Sequence, residues 1–193
     1  CGAIGRWGAV VRWHFSLGDS PGGLVEALTL CQGKVDWILV TGGLGPTADD
    51  RTREEIASAL NLDLVENGDA WREIHQRLSS RGFEPTENNR KQAFFPRGAS
   101  ILSNPNGSAP GFAVKTADGT RIFALPGVPH EFRAMFEEHV VEELKSYGGL
   151  SRLQGEILDF VGVPESRLDE WVSSKVPSSQ LYQICVRGWG QIE

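Results

Sequence analysis

A short, nearly continuous apolar run, Val35-Asp36-Trp37-Ile38-Leu39-Val40, breaks without transition into Thr41-Gly42-Gly43-Leu44-Gly45-Pro46-Thr47-Ala48-Asp49-Asp50. A run of that length is a strand buried on both faces, the kind found in parallel sheets covered by helices. Upstream, Leu24, Ala27, Leu28 and Cys31 fall at helical spacing with Gly33 as a stop. Before them, Val10-Val11-Arg12-Trp13-His14-Phe15 is β-branched and aromatic enough for another strand, ended by the turn Gly18-Asp19-Ser20-Pro21. Strand, helix and strand in so few residues predict a βαβ unit, whose binding crevice lies beyond the carboxyl ends of its strands. Segment 41–50 occupies that place.

Downstream, Thr52 and Glu55 are spaced as a capping box over a helix at 52–60, and a second helix is expected at 69–78. The polar stretch 87–92 reads as helix or loop. Residues 99–102, 111–115 and 121–125 are short strands, the last two flanking a hairpin turn at Ala117-Asp118-Gly119. Pro129 opens a long helix to about Tyr147, with Phe132, Met135, Phe136 and Val140 on one face. The pattern implies a main domain over 1–147 and a small α+β subdomain over 148–193, with a strand near 157–161, a helix near 165–172 and a strand near 181–186. The apolar residues of that tail, Ile157, Phe160, Val161, Leu168, Trp171, Leu181 and Ile184, are too few for an independent core. They should lean on a partner surface, and a homo-oligomer, most simply a two-fold dimer, is the expected supply.

Nineteen basic against twenty-five acidic side chains leave a net charge of -6, which disfavours a sequence-independent grip on nucleic-acid phosphates. The three cysteines, Cys1, Cys31 and Cys185, are widely spaced and lack neighbours for a zinc set. They read as free thiols of a reducing cytoplasm. No apolar run approaches the ~18 residues of a membrane span, and no signal peptide opens the chain. A cytoplasmic protein with a small-molecule ligand, and with neither nucleic acid nor membrane as partner, is the expectation.

Between a buried strand and a helix N-terminus, the amides of Gly42, Gly43 and Gly45 can point at an anion, with Thr41 and Thr47 as hydroxyl donors. A side chain at those glycines would block close approach of the backbone to phosphate oxygens. The loop is neither a P-loop nor a dinucleotide fingerprint. The alternative is a tight strand-to-helix turn that needs its glycines only for geometry. Asp49 and Asp50 beside such a cradle would repel a phosphate unless a Mg2+-type ion stood between them, and this makes them the candidate metal ligands and catalytic residues. Acids in a first helical turn also complement the helix dipole without any metal.

This segment, through Arg51-Thr52-Arg53-Glu54, resembles the signature of the molybdopterin-binding domain in competence-damage-inducible (CinA) proteins. Two further segments match in order: Asn104-Pro105-Asn106-Gly107-Ser108-Ala109-Pro110-Gly111 and Leu125-Pro126-Gly127-Val128-Pro129-His130-Glu131-Phe132, with Lys91-Gln92-Ala93 and Pro96 between. The match runs from about Val10 to Tyr147, and Val161-Gly162-Val163-Pro164-Glu165-Ser166 resembles the family's following subdomain.

The resemblance implies a three-layer αβα domain on a mostly parallel sheet that binds a pterin or nucleotide through phosphate. It also implies either metal-dependent ADP-ribose pyrophosphatase activity or a molybdopterin-handling role in molybdenum-cofactor biosynthesis; a module that binds without turnover is the third reading. Carried over by position, Thr41, Gly42, Gly43, Gly45 and Thr47 would hold phosphate. Asp49 and Asp50 would organise metal or water, with Glu54 behind them, and Asn104, Gly107, Ser108, Pro110 and Gly111 would form a facing wall. Of the histidines only His130 stands near a motif. Family members usually open with a further strand and a Gly-Asp-Glu-Leu-Leu turn, which this sequence does not show, and the deamidase domain of longer members is likewise not seen; no deamidase activity is expected of the segment.

Overall fold

The computed structural model describes residues 7–18, 20–147, 158, 160–177, 184 and 191–192. The chain divides into two compact units, Cys1–Ser151 and Arg152–Glu193. In the first, chain order is α1 (Gly23–Cys31), β1 (Trp37–Thr41), α2 (Thr52–Ala59), β2 (Leu64–Glu66), α3 (Gly68–Ser80) and α4 (Glu87–Arg90). There follow β3 (Phe94–Pro96), β4 (Ser100–Leu102), β5 (Gly111–Lys115), β6 (Arg121–Leu125), α5 (Pro129–Met135) and α6 (Val141–Ser146). The long helix expected after Pro129 is present, but one wide turn, Phe136–Val140, joins α5 to α6 as a π-helical segment.

The main sheet has the order β1-β6-β5-β4. β1 and β6 are parallel, with Trp37 opposite Arg121 and Thr41 opposite Leu125, while the β5–β6 hairpin and β4 extend the sheet antiparallel. Strand periodicity sorts the core into two faces. Phe112, Val114, Ile122 and Ala124 meet Leu28 of α1, Ile56 of α2 and Ala70 and Ile74 of α3. Ala113, Phe123 and Leu125 meet Met135, Phe136, Val140, Val141 and Leu144. Helices therefore cover both sides of the sheet, which is the expected three-layer α/β arrangement.

Residues 10–15 do not form the expected strand. They carry no regular structure, Val10 is 92% exposed, and no backbone hydrogen bond among the described residues involves them. A β-rich composition needs a neighbouring strand to pair with, and among the described residues β1 pairs with β6 alone. The helix and second strand of the βαβ unit are thus present, and the described residues 10–15 do not supply its first strand. The expected capping box also fails: Thr52 is already helical, and its hydroxyl donates 2.8 Å to the Gly42 carbonyl. Glu55 instead accepts the amides of Gly22 and Leu24, capping α1 across the interface. Tertiary partners outcompete the local motif. The undecided stretch 87–92 is helical, α4 running into a 3-10 turn at Lys91–Ala93. The short antiparallel ribbon of β2 and β3 was not foreseen.

In the second unit, β7 (Phe160–Val161) pairs antiparallel with β8 (Gln191–Ile192), and α7 (Glu165–Lys175) buries Leu168. Phe160 and Trp171 meet edge to face at 6.2 Å. Of the strand expected near 181–186, all but Ile184 lies outside the described residues, as do Ile157, Cys1 and Cys185. Cys31 is a buried free thiol. Among the described residues no helix is long and apolar enough to cross a membrane.

Phe112, fully buried and edge-on to Phe95 at 5.9 Å, stands at the centre of one core face. Phe112→Ala is expected to cost about 3–5 kcal/mol in denaturant unfolding. Phe83→Ala, at a side chain 65% exposed, should stay within about 0.5 kcal/mol of the parent.

Candidate functional site

The parallel ladder of β1 and β6 continues one step into the loop: the Gly42 amide donates 3.0 Å to the Leu125 carbonyl, and the Thr41 hydroxyl donates 3.0 Å to that of Pro126. The chain then turns through two left-handed positions, Gly42 at φ 95° and Gly43 at φ 65°. Both need glycine. A Cβ on Gly43 would also run into the Thr52 hydroxyl, the group that, with the Thr52 amide, holds the Gly42 and Gly43 carbonyls against the start of α2.

Beyond Gly43 the loop is braced from behind by side chains. Leu44 is buried, and its carbonyl accepts from Arg53 at 2.9 Å and from Gln92 at 3.4 Å. Lys91 donates to the carbonyls of Thr47 at 2.9 Å and Asp50 at 2.5 Å, and lies 3.2 Å from Glu54. With these carbonyls turned inward, the amides of Gly43 and Leu44 are left without a hydrogen-bond partner among the described residues.

The two aspartates separate. Asp50 turns into the loop, where its carboxylate accepts from the Thr47 amide at 2.9 Å and the Thr47 hydroxyl at 2.6 Å. Burial by itself raises the Asp50 carboxyl, but the bonds from Thr47 and Gly45 and the charge of Lys91 outweigh it and hold the pKa below the ordinary carboxylate value. Asp49 is exposed and lines a cleft of about 150 Å3 together with Thr41, Gly42, Gly43, Arg51 and Thr52. The start of α1 and the segment before it also line the cleft, through Leu17, Gly18, Ser20 and Leu24, as does Glu55.

Of the residues singled out in the sequence, Thr41, Gly42, Gly43 and Asp49 come together in this cleft, while Gly45, Thr47 and Asp50 bond one another inside the loop. Glu54 serves Lys91. The proposed facing wall does not line the cleft; it is a separate, internally bonded turn. Asn104, 2% exposed, accepts the amides of Asn106 and Gly107 and donates to the Ala109 carbonyl and to Glu131. Arg77 donates to the carbonyls of Asn104 and Gly107. Pro110 and Gly111 are buried, Ser108 half-buried, and a Cβ on Gly111 would come within 2.6 Å of the Ala124 carbonyl, so that glycine serves sheet pairing. His130 is exposed in the first turn of α5 and is not part of the cleft lining. Sequence reasoning missed Arg51 and Glu55 as cleft residues and Arg53, Lys91 and Gln92 as braces. Lys91-Gln92-Ala93 was the visible trace of the last two.

A glycine-rich loop at the carboxyl end of a parallel strand pair, in an α/β domain layered on both faces, places the chain in the class of open α/β domains whose crevice lies beyond the carboxyl ends of the strands. A family model described as a probable molybdopterin binding domain matches residues 1–146, and the chain belongs to that family. It is similar to a protein named "Putative competence-damage inducible protein" from Caldanaerobacter subterraneus subsp. tengcongensis, 43% identical over 165 residues, covering 86% of this chain and 40% of that protein. A CinA-like protein from Crocosphaera subtropica is 42% identical over 153 residues, 79% of this chain and 37% of that one. The chain thus spans about 40% of the length of the curated relatives it matches. The crystal structure of the protein CinA from Thermoplasma acidophilum, described as of unknown function, superposes with a TM-score of 0.67 at 29% identity, covering 74% of this chain and 82% of that one.

Because Asp50 is bonded inside the loop and Asp49 is exposed, equal substitutions should part. Asp50→Asn is expected to lose about 1–3 kcal/mol, a fall in Tm of roughly 2–4 °C for each kcal/mol; Asp49→Asn should leave Tm unchanged. Since the folded pKa of Asp50 lies below its unfolded value, its contribution is present above about pH 4 and is lost as pH falls through the folded pKa. The Thr47 amide resonance, followed by NMR, should titrate with a midpoint below about 3.9.

Proposed function

We propose that this domain holds the phosphate of a nucleotide or pterin in the cleft at Thr41, Gly42 and Gly43 and, with a Mg2+-type ion, hydrolyses a nucleotide diphosphate such as ADP-ribose. One observation carries the reading: among the described residues the amides of Gly43 and Leu44 have no hydrogen-bond partner, and they and the exposed carboxylate of Asp49 belong to the same loop at the carboxyl end of β1. Among the described residues no three His, Cys, Asp or Glu side chains gather into a metal cage. A single carboxylate suits Mg2+, which is usually held by one or two carboxylates together with ligand phosphates. Asp49 would carry the ion. When bound, it would neutralise charge on the bridging and leaving oxygens.

The chain's own part is positioning. The backbone amides fix one phosphate, the Arg51 guanidinium at the rim adds a cation, and Asp49, with the ion, orients what attacks it. A binding domain for molybdopterin is the second reading. It is favoured by the family description and by the shortage of a general base among the described residues: besides Asp49, the described titratable groups lining the cleft are Arg51 and Glu55, and Glu55 is spent on capping α1.

The two readings separate in calorimetry on ADP-ribose and molybdopterin and in chromatographic assay of AMP and ribose 5-phosphate formed from ADP-ribose, each with and without Mg2+. The expected outcome is ADP-ribose binding, turnover only with Mg2+, and a loss of turnover in Asp49→Asn of at least about tenfold, the lower end of what even an outer partner of a metal costs. Binding of molybdopterin with no turnover of ADP-ribose would select the second reading. Binding of neither would remove the phosphate site.

A further inference from the structure

Arg53 is 1% exposed, yet among the described residues no carboxylate stands within ion-pair distance of it. Its guanidinium lies 5.6 Å from the centre of the Phe95 ring. One arm donates 2.9 Å to the Leu44 carbonyl, in the glycine-rich loop, and the other 3.3 Å to the Pro110 carbonyl, at the end of the turn held by Asn104. The Nε is buried with no hydrogen-bond partner. Desolvation lowers the pKa of Arg53 to about 10, with Glu54 and Asp50 opposing it through space; at neutral pH it stays charged.

Burying a guanidinium against two neutral carbonyls is unfavourable compared with packing an apolar side chain of the same shape there. Helix packing alone gives no reason for it. Its two acceptors do: Leu44 lies 9 residues before Arg53 and Pro110 57 residues after it, in two separate loops, and Leu44 follows directly on the turn that lines the cleft. A planar fork with fixed divergence sets a distance between two acceptors, which an ammonium cannot.

The geometry points to Arg53 as a positioning residue that locks the glycine-rich loop to the turn at 104–110, so that the Gly43 and Leu44 amides are held in place by a loop that never touches the ligand. This rests on reading residues 41–43 as the phosphate site. The Leu44 carbonyl is the pivot: the peptide planes that carry the Gly43 and Leu44 amides are set by Thr52, which holds the Gly42 and Gly43 carbonyls, and Arg53 and Gln92 fix the chain at the next peptide, so that these two planes are clamped from both sides. The turn at 104–110 is itself fastened by Arg77 and Glu131, and it gives the fork a rigid anchor.

Hydrogen exchange on the whole chain, read by mass spectrometry, tests the link without any ligand. In Arg53→Met, exchange at residues 43–47 and 106–109 should rise together, on the order of tenfold, the loss of one charge-assisted hydrogen bond. Exchange in α3 and β5 should stay as in the parent. Arg53→Lys keeps the charge without the fork and should show the same paired rise; it also decides the matter should the methionine variant fail to fold. Parent-like protection in Arg53→Lys, a rise in one loop only, or an equal rise across α3 and β5 would each overturn the inference. In parallel, ADP-ribose affinity by calorimetry should fall about tenfold in Arg53→Lys with its dependence on Mg2+ unchanged. A parent protein that binds neither ADP-ribose nor molybdopterin overturns the function proposed above, while the paired exchange still decides the role of Arg53.

Discussion

The parallel pairing of β1 with β6 is the constraint on which the site depends. It sets Thr41 beside Leu125, so two segments distant in sequence leave the sheet at the same end and at the same height. The Gly42 amide and the Thr41 hydroxyl extend the ladder past the last paired residues, and the crossing is close enough that a Cβ on Gly127 would stand 3.2 Å from the Gly42 Cα. The hairpin brings the third segment to this end as well. β5 runs antiparallel to β6, and Leu102 of β4 lies opposite Gly111, so the turn at 104–110 emerges beside the other two. Three motifs that are scattered in the sequence become neighbours through strand register alone.

Within that frame the loop divides its polar groups by direction. A backbone segment at a domain surface must pair its carbonyls and amides with something. Here the carbonyls of Gly42, Gly43, Leu44, Thr47 and Asp50 accept from Thr52, Arg53, Gln92 and Lys91. Three of those contacts come from side chains that carry or share positive charge. The inner face of the loop is therefore supplied with donors, and the amides of Gly43 and Leu44 keep no hydrogen-bond partner among the described residues. Free amides beside the start of α2 are the groups that the proposed anion would meet.

The sheet was legible where local chemistry and tertiary structure agree. The hairpin strands at 111–115 and 121–125 and the turn between them read directly from alternation and Asp118-Gly119, because their pairing is local. The helix at 24–31 and the apolar strand after it read from helical spacing and an unbroken apolar run, although the partner of that strand, β6, is distant in sequence. Residues 10–15 were misjudged because composition says that a segment suits a strand and says nothing of whether a partner lies alongside. The capping box failed because Thr52 and Glu55 found acceptors and donors in another element, Gly42 and the start of α1. Buried Arg53 could not be recognised, since an arginine in the first turn of a helix ordinarily faces water. The cleft itself was legible as a position, beyond the carboxyl end of β1, though not in its membership.

Asp49 and Asp50 show where that limit lies. They are adjacent and chemically identical, and no pattern in the sequence ranks one above the other. The turn does: Asp50 stands three residues after Thr47, the spacing at which a carboxylate can close a local loop on the Thr47 amide and hydroxyl. Asp49, one residue earlier, is carried outward. The inward carboxylate holds Gly45 and Thr47 in the conformation an external anion would otherwise have to impose, and Lys91 fixes the far side. A loop fastened in this way has little conformational freedom left to lose, so more of the interaction with the proposed phosphate would be expressed as affinity. One carboxylate orders the loop, and its neighbour stays exposed at the cleft.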